Sequence, residues 1–249
     1  MAPWPDGVGR RVLAEVDSTN AEAARLAPDL SGPTWVLGLR QTAGRGRRGR
    51  AWQSAEGNFA ATLVMRVPDG PAFAAQRSFV AALALQDALA EATRRPEAIR
   101  LKWPNDVLLN GAKVAGILLE SSGQGGTPGP LCVGIGVNLA QEPDAGTLEP
   151  DALAPTSVLS ATGIRITPEE FLDLLAPAFA TWETRLTTYG FDPLRRAFLD
   201  HAAKLGEVIT ARTAKDSLTG TFTDIDADGA LVLTGAKGRV VLPAADIFF

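Results

Sequence analysis

The chain has 249 residues, 46% of them apolar and 21% charged, with 24 basic against 28 acidic side chains and a formal net charge of −4. That length suits one fair-sized domain with or without a small appendage, and the composition is that of a soluble globular protein, not a disordered or fibrous one. A single cysteine, Cys132, excludes an internal disulfide and a Cys/His zinc cluster. No run of about 18 apolar residues offers a membrane span, and the N-terminal "MAPWPDGVGRR" lacks the apolar centre of a signal peptide.

These features lead us to expect a soluble, unexported, cytoplasmic protein. The lone histidine, His201, would have to carry any Ser-His-Asp or Cys-His mechanism. Nothing around it suggests so, and it reads as an ordinary helix-surface or packing residue.

In chain order, "DSTNAEAARLA" reads as a helix start, with Thr19 capping and Glu22 three residues on closing a capping box. "TWVLGLRQ" (34–41) and "NFAATLVMRV" (58–67) read as strands on either side of an arginine-rich loop. Residues 71–94 form an Ala/Leu-rich helix opened by a proline. A short strand "IRLKW" leads into "PNDVLLNGAKVAGILLE", whose Asn110-Gly111 pair between two apolar runs is a strong hairpin signal. After a Gly/Ser/Pro-rich loop (121–130), "LCVGIGVNLA" reads as a buried strand, and the Pro/Asp-rich segment 140–155 as a mobile loop. A second capping box, Thr167 to Glu170 with Pro168 at the first helical position, opens a helix, and a further helix reaches about Lys204. From Gly206 short β-rich pieces with an Asp-Gly turn at 228–229 predict a small all-β barrel, so a domain boundary is placed near 204–206.

The loop "TAGRGRRGRAW" (42–52) carries four arginines and three glycines inside a stretch, Asp29 to Glu56, with no acid between its ends. Gly44 to Gly49 matches G-x-G-x-x-G but opens no helix, so it fails as a dinucleotide fingerprint, and no Gly-Lys-Ser/Thr makes it a Walker loop. Glycines that admit close backbone approach and arginines that offer paired donors favour an anion, with Trp52 closing over it or anchoring the loop. A nucleic-acid tract and a bland surface turn stay open on these residues alone.

Only five lysines occur, and two of them, Lys102 and Lys113, bracket the hairpin. A two-residue turn pairs Leu108 with Lys113 and Asp106 with Ala115. Asp106 and Lys113 then become diagonal neighbours on one face, about 7–8 Å apart and within reach of long side chains. Lys102 points elsewhere along the incoming strand. A carboxylate and an ammonium beside one spot suit a reaction that joins two anions, although a weak surface salt bridge would look the same in sequence. Gly116 and the glycines of "GIGVN" mark places where a ligand lies flat on the sheet.

"STN" at 18–20, "QTAGRGRRGRAW" at 41–52, "KWPNDVLLNGAKVAGILLE" at 102–120 and "GIGVN" at 134–138 resemble, in order and spacing, the motif set of biotin protein ligases. The resemblance covers most of residues 12–204, and the C-terminal barrel is similar to that family's SH3-like domain. It implies an α+β fold with a mixed, largely antiparallel sheet of the class II aminoacyl-tRNA synthetase/lipoate ligase type, catalytic over 1–204, and a barrel over 205–249. It implies biotin and Mg²⁺-ATP as reactants, biotinyl-5′-AMP as the intermediate, and a lysine of a biotin carboxyl carrier domain as acceptor.

By position, Ser18, Thr19, Asn20, Gln41, Gly44, Arg45, Lys113, Gly116 and Gly134 would bind biotin. Arg47, Arg48, Arg50, Trp52, Lys102, Asn105 and Asn138 would bind ATP or the adenylate, with Asn138 near the metal through phosphate. Lys113, Asp106 and Arg47 would carry the chemistry. Only 17 residues precede Ser18, too few for a three-helix DNA-binding module, which implies the monofunctional type without DNA binding. No membrane partner is expected, and a homodimer stays open. The loop 42–52 is expected to be mobile when the site is empty. A lipoate or octanoate ligase is the rival enzyme on the same scaffold.

Overall fold

The computed structural model describes residues 2–67, 70–121, 129–144, 146, 153–213, 216–235 and 238–249. Residues 122–128 of the loop expected at 121–130, and residues 145 and 147–152 of that expected at 140–155, lie outside these. No helix among the described residues is long and apolar enough to cross a membrane.

Seven strands make the larger sheet: β1 (Gly9–Leu13), β2 (Thr34–Gly38), β3 (Phe59–Met65), β4 (Ile99–Lys102), β5 (Asp106–Leu109), β6 (Ala112–Ser121) and β7 (Leu131–Val137), in the order β1-β2-β3-β7-β6-β5-β4. β1 and β2 pair in parallel and every other neighbour is antiparallel, as expected for a mixed, largely antiparallel sheet. The first strand, β1, carries two arginines in five residues, which hid it from a reading based on apolar runs.

The faces of this sheet differ because strand side chains alternate. On one face Trp35, Leu37, Phe59, Leu63, Val133, Ile135 and Val137 join the main core. Two helices cover it, α3 (Arg77–Thr93) and α5 (Pro168–Tyr189), with Phe59 against Phe171 and Trp35 against Phe179 edge to face. The capping box at Thr167 and Glu170 opens α5, with Pro168 at its first position. On the other face the short helix α1 (Thr19–Leu26) lies over Val36, Val64 and Cys132, and the rest of that face forms the floor of a slot.

Two helix expectations need correction. The segment 71–94 is not one helix: α2 (Gly70–Ala75) and α3 are split at Gln76. The Phe73 carbonyl accepts from the Gln76 amide at 3.3 Å and from the Arg77 guanidinium at 2.8 Å, so it is lost to the next helical turn. Arg77 itself is buried and paired with Glu183 of α5 at 2.6 Å. Secondly, Thr19 is not a cap. Ser18 occupies that position without a side-chain cap bond, and Glu22 turns to Arg25 at 2.7 Å. A further short helix, α4 (Val158–Thr162), capped by Ser157, went unforeseen.

After α6 (Asp192–His201) the chain enters a five-stranded antiparallel sheet, β8 (Val208–Arg212), β9 (Ser217–Ile225), β10 (Leu231–Gly235), β11 (Gly238–Leu242) and β12 (Asp246–Phe248). It is fastened to the larger unit by Trp103, which donates to the Gly229 carbonyl at 2.9 Å, and by Arg195, 2.6 Å from Asp224. β12 is thereby carried to the open end of the slot.

Candidate active site

The slot has a volume of about 470 Å³ and is lined by residues far apart in the sequence, from Ser18 to Phe248. Its floor is a row of positions where side chains are missing. Antiparallel register sets Gly116 of β6 opposite Gly136 of β7, and Leu118 opposite Gly134. Neither Gly134 nor Gly136 has room for a methyl group: at Gly134 it would run into the Asn20 amide, and at Gly136 into the Trp52 indole. These glycines are needed for close approach of other groups, not for an unusual backbone angle.

The hairpin explains how one strand supplies both a floor position and a charge. Asn110 (φ 52°) and Gly111 (φ 81°) make the tight turn, and Leu108 pairs with Lys113 as expected. Asp106, however, pairs with Gly116 and not with Ala115, because the register shifts between Val107 and Leu108. The extra residue on β6 reverses the alternation, so Lys113 and Gly116, three apart, face the same side as Asp106. Lys113 Nζ stands 2.7 Å from Asp106 Oδ1, at an angle that gives proximity of charge without a well-formed hydrogen bond; that buried oxygen has no hydrogen-bond partner.

Lys102, expected to point elsewhere, pairs across the β4–β5 ladder with Asp106 and brings its ammonium to 3.8 Å. Burial pushes the Lys102 pKa below the usual ammonium value, and Asp106 opposes that shift. One carboxylate thus sits between two lysines.

The head end of the slot is polar and buried. Ser18, Thr19, Asn20 and Thr62 are all inaccessible to solvent or nearly so. Gln41 Oε1 accepts from the Thr19 amide at 2.8 Å and from its hydroxyl at 3.1 Å, and Gln41 Nε2 donates to Ser54 at 2.8 Å. Asn20 Nδ2 donates to Glu120 at 2.7 Å, while its Oδ1 accepts from Thr62 at 2.6 Å.

The arginine loop closes the other end. It bends back on itself, with Gly46 N–H donating to the Arg50 carbonyl and Trp52 N–H to that of Gly44. Arg45, Arg47, Arg50 and Trp52 line the slot. Arg47 donates to Asn105 Oδ1 at 3.0 Å, and Asn105 in turn donates to the Ile117 carbonyl, so the loop is tied to β6. Burial lowers the Arg47 pKa, as do the charges of Arg48 and Arg50, while Asp246 counters them. The Trp52 ring lies on Gly116 and Gly136 with its buried Nε1 unpartnered.

Two expected members do not line the slot. Gly44 lies at the loop's base against Gln41 and the Trp52 carbonyl, and Arg48 turns outward to Asp246 at 2.5 Å. Asn138 does line it, with its Nδ2 donating to the Thr156 carbonyl at 3.1 Å.

Sequence reasoning passed over Asp246, from β12, which faces Arg47, Arg48 and Arg50 together. It also passed over Thr62, Ser54, Glu120 and Gly136 as individual site members. The period-two spacing of Gly134, Gly136 and Asn138 was a usable signal for the last of these. Nothing local marks Asp246.

For a divalent cation the donor set is poor. No group of three or more His, Cys, Asp or Glu capable of holding a metal exists among the described residues. The two carboxylates of the slot, Asp106 and Asp246, are each already faced by cations. A cation in this site would have to arrive on its own phosphate ligands.

Comparison with known proteins agrees with this geometry. Residues 11–138 match the model of the biotin/lipoate A/B protein ligase family, and residues 204–249 that of the biotin protein ligase C terminal domain. The chain is 60% identical over 238 residues to a biotin–[acetyl-CoA-carboxylase] ligase of Paracoccus denitrificans, covering 96% of this chain and 99% of that one. It is 33% identical over 238 residues to a bifunctional ligase/repressor of Bacillus subtilis, covering 95% of this chain and 71% of the other. Its fold is similar to that of a biotin protein ligase from Aquifex aeolicus in complex with biotin and ATP, with a TM-score of 0.81, 27% identity, and coverage of 96% and 97%.

Proposed function

The chain belongs to the biotin/lipoate A/B protein ligase family, and from that premise we propose that it activates biotin with ATP and passes the biotinyl group to a lysine of a biotin carboxyl carrier domain. The observation that carries this reading is the single slot itself. It joins a polar head end, a glycine floor, an Asp106/Lys113 pair and an arginine loop in the sequence a carboxylic acid and a nucleoside triphosphate would need. The similar protein from Paracoccus denitrificans names the acid and the acceptor.

Ser18, Thr19 and Gln41 hold the ring system of biotin, with Asn20 behind them and Gly116 and Gly134 beneath. Its carboxylate then reaches Lys113. That carboxylate is ionised and needs no base; its repulsion from the triphosphate is what opposes attack. Lys113 and Lys102, with Arg45, Arg47 and Arg50, offset that repulsion, and Mg²⁺ enters as part of the Mg²⁺-ATP substrate. A carboxylate oxygen bonds to the α-phosphorus, the bond to the β-phosphate oxygen breaks, and pyrophosphate leaves.

In the second step the acceptor amine attacks the acyl carbon, the bond to the AMP oxygen breaks, and Asp106 orients the amine and takes its proton. Trp52, Asn105 and Asn138 border the adenylate. Arg48, outside the slot, serves the loop through Asp246. Residues 1–204 are the catalytic unit and 205–249 the barrel.

Incubation with biotin, Mg²⁺-ATP and a carrier domain, read by intact mass, tests the reading. The expected result is a gain of one biotinyl group on the carrier. A gain with lipoate and none with biotin would replace it by the lipoate reading, and no gain with either would remove both.

A further inference from the structure

Three apolar residues of the slot, Pro143, Leu153 and Pro155, come from two arms of the chain. One arm runs on from β7 through Asn138 to Asp144, and the other leads through Ala154 and Thr156 into α4. The geometry points to Glu142 as a positioning residue that latches the two arms together and so sets this apolar wall against the nucleotide. The inference rests on the biotin and ATP reading given above.

Strand alternation turns Gly134, Gly136 and Asn138 toward one face, and four residues of extended chain carry Asn138 about 13 Å beyond Gly134 and the polar head end. The arms therefore meet at the nucleotide end. The second arm is tied to the backbone of Lys113, which bridges in parallel to Pro155. The Lys113 amide donates to the Ala154 carbonyl at 2.9 Å, and the Thr156 amide donates to the Lys113 carbonyl at 2.9 Å. The first arm is held at its root by the buried Asn58. Its Oδ1 accepts from the amides of Ala140 and Gln141, and its Nδ2 donates to the Gln141 carbonyl at 2.7 Å. Those bonds end at Gln141, short of the proline that reaches the slot.

Glu142 joins the two arms. Its Oε2 accepts from the Ser157 hydroxyl at 2.7 Å and from that of Ser160 at 2.8 Å, and Oε1 faces Ser160 at 3.1 Å. Ser157 is buried and caps α4 by accepting from the Ser160 amide, so the latch closes on an ordered partner. Pro143 follows directly. Its ring locks its own φ and confines Glu142 to extended backbone, so a Glu142 side chain held at Ser157 leaves Pro143 little freedom.

Charge supports a mechanical role. Arg45, Arg47, Arg50, Lys102 and Lys113 of the slot attract a triphosphate, which a carboxylate at their rim would repel. Glu142 does not line the slot, and the hydroxyls of Ser157 and Ser160 hold its pKa below the usual carboxylate value, so it stays an ionised acceptor at neutral pH.

The test compares wild type with Glu142→Ala and Glu142→Gln in biotin-dependent pyrophosphate exchange, which gives kcat and a KM for each substrate. Glu142 is exposed, so neither change opens the core. Glu142→Ala should raise the KM for ATP about three- to tenfold, the scale of one or two hydrogen bonds to an exposed charged group. Its KM for biotin should stay within about twofold. Glu142→Gln should keep the KM for ATP within about twofold of wild type, because its amide oxygen can accept from both hydroxyls. A KM for ATP in Glu142→Ala equal to or below that of wild type overturns the proposal; a fall in both variants would mean that the carboxylate acts by repelling phosphate. A glutamine variant as weak as the alanine, or a KM for biotin that rises in step with that for ATP, overturns it too. A wild type that exchanges no pyrophosphate with biotin overturns the biotin reading and this proposal with it; an active wild type beside an unaffected Glu142→Ala overturns the proposal alone.

Discussion

Replacing Asp246 by alanine tests how the barrel holds the arginine loop. The carboxylate is largely buried (16% exposed) and faces Arg48 at 2.5 Å, Arg50 at 3.6 Å and Arg47 at 3.8 Å. The arginines are 46%, 50% and 28% exposed, so each pair contributes at the scale of surface ion pairs, about 0.2–1 kcal/mol. Two of the three are beyond hydrogen-bond distance and belong at the low end. The three guanidiniums also repel one another, and that repulsion is released once the carboxylate is gone. The sum is about 1–2 kcal/mol, or about a 5–30-fold increase in the open population of the loop. The assay is limited trypsin digestion of ligand-free enzyme at low protease, where cleavage after the loop arginines follows the open population. Half a molar salt should narrow the difference between wild type and variant. Equal cleavage of Asp246→Ala and wild type at low salt would show that the backbone bonds of Gly46, Arg50 and Trp52 hold the loop unaided, and the reasoning would fail.

Lys113→Ala should lower biotin-dependent pyrophosphate exchange by about 10²–10³-fold, the scale of one lost electrostatic contact to developing charge; labelling at the wild-type rate would sink that assignment. Asp106→Asn should slow transfer from preformed adenylate, and transfer at full rate would remove its role with the acceptor amine. In Gly136→Ala the new methyl would come within 2.6 Å of the Trp52 ring, so the indole must leave its seat. Ligand affinity should fall at least about tenfold with the far-ultraviolet circular dichroism unchanged, and unaltered affinity would mean that this seat is irrelevant to binding. Burial pushes the Cys132 thiol up to about 11 from 9.0, so it should resist a thiol reagent at pH 8 in the native state. Because the folded value is the higher one, stability from this group is intact below pH 9 and declines as pH rises toward about 11. Cys132→Ala should flatten that part of the stability curve, and an unchanged slope would exclude the thiol as its source.

What the sequence disclosed and what it withheld divide along physical lines. Period-two alternation and the Asn110-Gly111 turn were enough to set Asp106 beside Lys113, since both depend on neighbours in the chain. The register shift at Val107/Leu108 was hidden, because an extra residue in one strand is dictated by packing against the next strand, not by local residue type. Thr19 was misassigned as a cap because a threonine before a helix satisfies that pattern, whereas Gln41, 22 residues away, claims its hydroxyl. Lys102 was left unplaced for want of a register, which the β4–β5 ladder supplies. Asp246 lies 198 residues from Arg48 and carries no motif, so only the docking of the barrel reveals it.

The glycine floor sets a limit on redesign of substrate choice. Enlarging a binding site ordinarily means trimming the side chains beneath the ligand, but Gly116, Gly134 and Gly136 have nothing left to trim. Space for a bulkier or chemically tagged acid must come from the roof, at Trp52, or from the end wall around Asn20. The end wall is bound into a chain of proton donors and acceptors, and each cut there alters recognition as well as volume. Trp52, with its indole nitrogen unpartnered, is the site where volume can be added at least cost in hydrogen bonds.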